Sequence, residues 1–187
     1  MKPGARIEIR IGGTGGQGLI LSAKMLADAL AATGKRVAQS QTYEPTSRGG
    51  YCNSDLVVSD AEVDYPLATA VDCLVLLDRM AVKPSWPLLN PGALVIADTR
   101  LCPEVPDDGH RVHHLPLTRT AIELGSERVA NIVALGALAA LSGVCERTVL
   151  EQAVRAETPR AFLDLNLDAL AAGYRFASQT TQVAAAG

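Results

Sequence analysis

The stretch Arg6 to Leu19, RIEIRIGGTGGQGL, constrains the fold more than any other part of the chain. A strand-type run rich in Ile and Arg enters five glycines, and an apolar-periodic, helix-type run follows at once. Gly13-Thr14-Gly15-Gly16-Gln17-Gly18 fits G-x-G-x-x-G in the strand–turn–helix setting that gives this pattern its meaning. Glycine suits such a turn because the backbone takes φ > 0 and because a side chain would hold off a ligand or a neighbouring backbone. The helix starting near Gly18 opens with N–H groups that lack intrahelical partners, and these can receive an anion such as phosphate. A Rossmann-like opening follows from this stretch; a dinucleotide enzyme does not follow from it alone.

Composition narrows the function classes. At 187 residues and 48% hydrophobic, the chain has material for one soluble domain with a real core. A net charge of −3 and only 4% aromatics argue against nucleic acid, which calls for a basic face or stacking platforms. The N-terminus MKPGARIEIR carries no apolar signal region. The longest apolar run, Ile132 to Cys145, falls short of the roughly 20 residues that span a bilayer. A cytoplasmic protein with no membrane partner is expected. Cys52, Cys73, Cys102 and Cys145 include no C-x-x-C pair, so single buried thiols are expected rather than a zinc or iron–sulfur site.

Periodicity predicts a helix over 19–32, a second strand over 37–41, and a turn-rich loop over 41–51, QTYEPTSRGGY. Strands are expected at 56–58, at the doubly buried run CLVLL (73–77), at ALVIA (93–97), and more weakly at 111–117. Helices are expected at 81–89 (closed by Asn90-Pro91-Gly92), 118–124, 128–142, 146–157 and 163–176. Residues 1–177 then form one domain and 178–187 a frayed tail. Strands alternating with helices imply an α/β fold: a single doubly wound, mostly parallel Rossmann-like sheet with helices on both faces and C-terminal helices.

Ligands of open α/β sheets collect outside the carboxyl ends of the strands. The glycine turn, the 41–51 loop, and the strand ends at Asp78 and Asp98 converge there. A nicotinamide site needs a carboxylate roughly 20 residues past the glycines. Ala38-Gln39-Ser40-Gln41 stands at that place, with no acid before Glu44, which counts against NAD. Pro45-Thr46-Ser47-Arg48-Gly49-Gly50 offers a charged fork on an approachable backbone suited to phosphate or carboxylate, or else a solvated turn. His110, His113 and His114 lack metal-ligand spacing, no G-x-S-x-G occurs, and Asp78 and Asp98 read as caps or turn formers. Asn131, at the start of the apolar helix, can orient a loop or ligand, cap the helix, or satisfy a buried hydrogen bond.

The series Gly-Gly-Thr-Gly-Gly-Gln-Gly at 12–18, Ser47-Arg48-Gly49-Gly50, Asn90-Pro91-Gly92-Ala93-Leu94-Val95-Ile96 and the helix beginning Asn131-Ile132-Val133-Ala134 resembles the gamma subunit of 2-oxoacid:acceptor oxidoreductases. That group acts on pyruvate, 2-oxoglutarate, 2-oxoisovalerate or indolepyruvate. The joint occurrence of GGxGGQG and RGG about 30 residues apart is the specific part. The resemblance implies a complex that decarboxylates a 2-oxoacid on thiamine diphosphate, passes electrons through iron–sulfur clusters to ferredoxin or a related acceptor, and yields an acyl-CoA. The chain has neither a thiamine signature nor a C-x-x-C-x-x-C run. Thiamine diphosphate, Mg2+ and 4Fe-4S clusters are therefore expected in partner alpha and beta subunits and a ferredoxin-like subunit, with no catalytic residue in this chain. Gly13, Gly15, Gly16, Gln17, Gly18, Thr46, Ser47, Arg48, Gly49, Gly50 and Asn131 become candidates for binding coenzyme A, through its phosphates, or for subunit docking. Two other readings stay open: a self-standing nucleotide-binding Rossmann-like oxidoreductase and a pure assembly module.

Overall fold

The computed structural model describes residues 6–44, 49–63 and 65–185, the side chains of 179–185 excepted. One six-stranded sheet runs β2-β3-β1-β4-β5-β6, built from β1 (Ile7–Thr14), β2 (Arg36–Tyr43), β3 (Tyr51–Ser59), β4 (Val71–Leu76), β5 (Leu89–Asp98) and β6 (Arg111–Leu115). The β1–β4, β4–β5 and β5–β6 pairs are parallel, whereas β3 is antiparallel to both β1 and β2. The sheet is thus mixed and mostly parallel, as expected.

The strict βαβ alternation fails at one point. β2 and β3 form a hairpin, and β3, not β2, lies beside β1. The polar run Asn53-Ser54-Asp55 hides this strand from a hydrophobicity reading, which sees only 56–58. Its polar groups are buried and hydrogen-bonded, both across the sheet and along the strand. Arg10, 7% exposed, grips Asp55, 4% exposed, with two bonds of 2.8 and 2.7 Å. Asn53 Nδ2 donates to the same carboxylate at 2.8 Å. Burial disfavours the charge on Arg10, but hydrogen bonding and the negative charge of Asp55 outweigh it and raise the guanidinium pKa.

Period-2 alternation along β1 sorts its side chains. Ile9 and Ile11 enter the main core with α1 (Leu19–Ala32), α3 (Leu117–Glu123), α4 (Ala130–Ser142), α5 (Arg147–Glu157) and α6 (Leu163–Ala185). Glu8 and Arg10 turn to the other face. There, a smaller core of Val71, Leu74, Leu76, Val95 and Ala97 lies under the short helical segment 79–88, which includes α2 (Val82–Ser85). Helices therefore cover both faces, thickly on one and thinly on the other. α4 is apolar almost all round and buried from Asn131 to Ala139, as such a helix must be. It crosses α6 at Gly136 and Gly173, where a Cβ on either residue would collide with the opposite backbone.

Asn90-Pro91-Gly92 does not close a helix but opens β5, because Asn90 Nδ2 bonds to Ala70 O (3.1 Å) and Asp72 Oδ1 (2.7 Å) of the neighbouring segment. β2 and β3 extend beyond the expected 37–41 and 56–58, and α6 beyond 163–176 to Ala185. Residues 186 and 187 of the expected tail lie outside the described residues.

Candidate functional site

Register places the end of β1 (Thr14), the end of β2 (Tyr43), the start of β3 (Tyr51), and the ends of β4 and β5 on one edge of the sheet. The chain goes from β1 to β2 and β3 on one side and to β4–β6 on the other. The crevice at the carboxyl ends of β1 and β4 is therefore the switch point where such sheets take ligands.

The glycine turn sits at that point. Gly16 (φ +98°) and Gly18 (φ +73°) take the left-handed conformation, and Gly18 is the N-cap of α1. No side chain caps this helix, and its first bond in the ladder is Ser22 N to Gly18 O at 3.0 Å, so the N–H groups ahead of Ser22 point into the turn without helical partners. Gln17 folds back: Oε1 accepts from Thr14 N (2.7 Å) and Nε2 donates to Leu77 O (3.0 Å). Its amide ties the turn to the end of β4 rather than facing a ligand. Gly13 packs its backbone on Leu77, and a Cβ on residue 13 would stand only 3.3 Å from that side chain's Cβ.

The two sequence motifs meet. Gly15 N donates to Gly50 O at 3.0 Å, and Gly49 N lies 4.0 Å from where a Cβ of Gly15 would stand. Glu44 N donates to Tyr51 O at 2.9 Å, which closes the base of the loop between β2 and β3. Thr46, Ser47 and Arg48 lie outside the described residues; their flanks bring Gly49 and Gly50 onto the turn. Asn131 joins from α4, its Nδ2 donating to Gly18 O at 3.0 Å. It is 5% exposed, and its Oδ1 is buried with no hydrogen-bond partner among the described residues.

Arg128, absent from the sequence-derived candidates, lines two clefts that flank the turn and share Gly16. One of about 230 Å³ reaches Gln17 and Leu77, and one of about 540 Å³ reaches Asn131 and the 157–166 segment. Its sequence signal, an Arg just ahead of a long apolar helix, reads as a boundary residue. Arg79 and Arg100 stand exposed on the same edge. Acids share this rim: Arg100 pairs with Glu127 at 3.7 Å, and Glu127 lines the smaller cleft and Glu157 the larger.

The remaining polar groups are structural. Asp98 Oδ1 accepts from Arg100 N (2.8 Å) and Leu101 N (2.9 Å), and Oδ2 from Thr118 N (2.6 Å), so this buried carboxylate caps α3 from the end of β5. Asp78 accepts from Met80 N at 2.9 Å. His110 packs edge-on against Trp86, whose Nε1 donates to Asp108 at 2.7 Å. Among the described residues, no group of three or more His, Cys, Asp or Glu could hold a metal ion. Burial pushes the thiols of Cys73 up to about 12 and of Cys102 and Cys145 to about 11, the opposite of what a ligating or nucleophilic cysteine needs. The four cysteines stand as single thiols, and with no group of three potential ligands among the described residues the placement does not fit an iron–sulfur cluster.

The sequence profile of pyruvate ferredoxin/flavodoxin oxidoreductase matches residues 8–176. The chain belongs to that family. The 2-oxoglutarate synthase subunit KorC of Archaeoglobus fulgidus is 40% identical over 139 residues, covering 74% of this chain and 72% of the relative. The gamma subunit of a keto/oxoacid ferredoxin oxidoreductase from Geobacter sulfurreducens superposes with a TM-score of 0.86 at 38% identity, covering 94% of this chain and 98% of that one. A 2-oxoglutarate:ferredoxin oxidoreductase from Magnetococcus marinus, solved with 2-oxoglutarate, coenzyme A and succinyl-CoA, gives 0.83 at 26% identity. There the match spans 93% of this chain but only 31% of the longer one. As an oxidoreductase-family gamma subunit, the chain needs no NAD fingerprint. With β3 inserted beside β1, the end of β2 lies two strands from the glycine turn, roughly 10 Å at ordinary strand spacing. The ribose-binding carboxylate of a nicotinamide site has no place to stand.

Among the described residues, no helix is long and apolar enough to cross a membrane.

Proposed function

We propose that this chain is the gamma subunit of a cytoplasmic, multi-subunit 2-oxoacid:ferredoxin oxidoreductase, and that its glycine turn holds phosphates of coenzyme A. In the overall reaction a 2-oxoacid loses CO2, two electrons pass to the acceptor, and the acyl group forms a thioester with coenzyme A. Thiamine diphosphate with Mg2+ and the iron–sulfur clusters belong to partner alpha, beta and ferredoxin-like subunits, which supply the carbanion and electron-transfer chemistry. This chain contributes binding groups.

The observation that carries the coenzyme A role is the meeting of the turn with the RGG loop, Gly15 N to Gly50 O, beside uncapped N–H groups and Arg128. Backbone donors at a helix start and guanidinium forks are the groups that hold phosphate oxygens. Gly15 supplies a clean test. A methyl there meets nothing closer than 4.0 Å and its φ is ordinary, so Gly15→Ala leaves the fold intact while filling the space a phosphate would approach. The assembled complex carrying Gly15→Ala or Arg48→Ala should keep its subunits and show a KM for coenzyme A raised about tenfold or more, with the KM for the 2-oxoacid unchanged. Unchanged coenzyme A kinetics would remove the ligand role.

An assembly role for the same turn is favoured by the exposure of Ile20 and Leu21 on the first turn of α1. Loss of the complex on gel filtration of the Gly15→Ala protein would support that reading instead.

A further inference from the structure

The sheet ends at β2 on one side and at β6 on the other. β6 has only five residues, and its Arg111 Nε donates to Gly92 O at 3.2 Å. β2 is longer and regular: its eight residues pair with β3 in one unbroken register and include neither proline nor lysine. Among the described residues, no strand pairs with the outer side of β2. Proteins blunt such an edge with proline, lysine, a bulge or a covering element, because an open edge is a template for another strand.

The direction of the free backbone groups is fixed by the inner pairing. Continued by one residue, the β2–β3 register sets Glu44 opposite Tyr51, and Glu44 N donates to Tyr51 O at 2.9 Å. Antiparallel ladders alternate between hydrogen-bonded and non-hydrogen-bonded pairs. Arg36, Ala38, Ser40, Thr42 and Glu44 therefore turn their backbone groups to β3, and Ser40 O also accepts from Ser54 Oγ at 3.3 Å. Val37, Gln39, Gln41 and Tyr43 turn theirs to the open side.

The strand is complementary to itself. About a two-fold axis at Ser40, an antiparallel copy sets Arg36 against Glu44, Val37 against Tyr43, Ala38 against Thr42 and Gln39 against Gln41. This register meets outward backbone groups with outward ones along the whole strand. It also places a cation opposite an anion at each end, with both side chains exposed. Tyr43 is 65% exposed, and the opposing Val37 gives its ring an aromatic–β-branched pair. Ile20, 40% exposed, stands beside the axis, since Gln39 Nε2 donates to Ile20 O at 3.2 Å.

We propose that β2 pairs with β2 of a second copy of this chain, joining two sheets into one across an isologous two-fold interface. About eight ladder bonds form between the four outward residues of each strand. The glutamate of one copy neutralises the arginine of the other, and the two Ile20 side chains cover the axis on the α1 face. Self-pairing does not depend on what the glycine turn binds.

The test uses the full chain, free and in the assembled complex. Sedimentation equilibrium of the free chain should give twice the 19.6 kDa of one copy. Gln41→Pro deletes an outward N–H and no bond to β3, so it should give a folded monomer with unchanged circular dichroism. Arg36→Glu, or Glu44→Arg, sets like charges opposite each other at both ends and should weaken the dimer about tenfold. The two substitutions together should restore it, which decides the register even if Gln41→Pro unfolds. Across the axis the Cα atoms of residue 40 should stand about 4.5 Å apart, within disulfide reach. Ser40→Cys treated with diamide should therefore link two copies, in the free chain and in the complex, whereas the wild type with its four buried thiols should not. A free chain of monomer mass, or a dimer indifferent to both Gln41→Pro and the charge exchange, overturns self-pairing. A Ser40→Cys protein that links to a different subunit in the complex shows that the edge takes a partner's strand, and also overturns it.

Discussion

Asn131 and Gly18 are 113 residues apart in sequence, yet the side-chain amide of one donates to the backbone carbonyl of the other at 3.0 Å. The same Nδ2 lies 2.6 Å from the place a Cβ on residue 18 would occupy. The contact locks the start of α4 onto the start of α1, so the glycine turn is held from the core side.

Gly18→Ala therefore fails twice, through its left-handed φ and through Asn131. We expect a loss of about 1–3 kcal/mol, read by thermal or denaturant unfolding of the isolated chain. Asn131→Ala in the same chain removes the collision but not the backbone strain. The double variant should accordingly be more stable than the sum of the single losses predicts. Strict additivity would show that the two residues do not couple.

At the α4–α6 crossing, Gly136→Ala puts a methyl into the backbone of Leu170. By helix propensity alone, this substitution stabilises by up to about 1 kcal/mol. The collision dominates, so the expected change is a loss of about 1–3 kcal/mol, with Gly173→Ala behaving alike. A raised Tm for either variant would contradict this packing.

Asp55→Asn strands the Arg10 charge inside the protein, and the expected cost is about 3–5 kcal/mol. Replacing both partners, Arg10→Met with Asp55→Leu, should recover most of it, because neither then leaves a buried charge. Denaturant midpoints of the three proteins decide the matter. Wild-type stability in Asp55→Asn would show that the pair is solvated.

His113 is half-buried, and burial first, then the positive charge of Arg111, lowers its pKa below the usual 6.5. The unfolded chain consequently binds more protons than the folded one below about 6.5. The contribution of His113 is complete above that pH and is lost as the pH falls towards the folded-state value. In His113→Gln, the profile of Tm against pH should be flatter on the acid side. An unaltered acid limb would assign the sensitivity to other groups.

Much of this was legible in the chain. The period-3.6 runs at 19–32 and 147–157 and the apolar runs at 73–77 and 93–97 carry their own structure, because each can bury only one way. The roles of Asp78 and Asp98 as caps follow from their place at strand ends. β3 was only half visible: Asn53, Ser54 and Asp55 look like loop residues until Arg10 stands opposite them. Arg128 was not visible as a site residue, since only the fold shows that a residue two positions ahead of an apolar helix borders two clefts.

The sequence by itself determined the turn, the family and the layered α/β plan, because glycine spacing and hydrophobic period act within a few residues. Only the tertiary structure decided that β3 enters between β1 and β2, that the RGG loop bonds to the glycine turn, and that Asn131 reaches Gly18 with an acceptor left over. These are contacts between segments far apart in the chain. Their energies come from burial and from hydrogen bonds that exist only once both sides are folded, so no local pattern announces them.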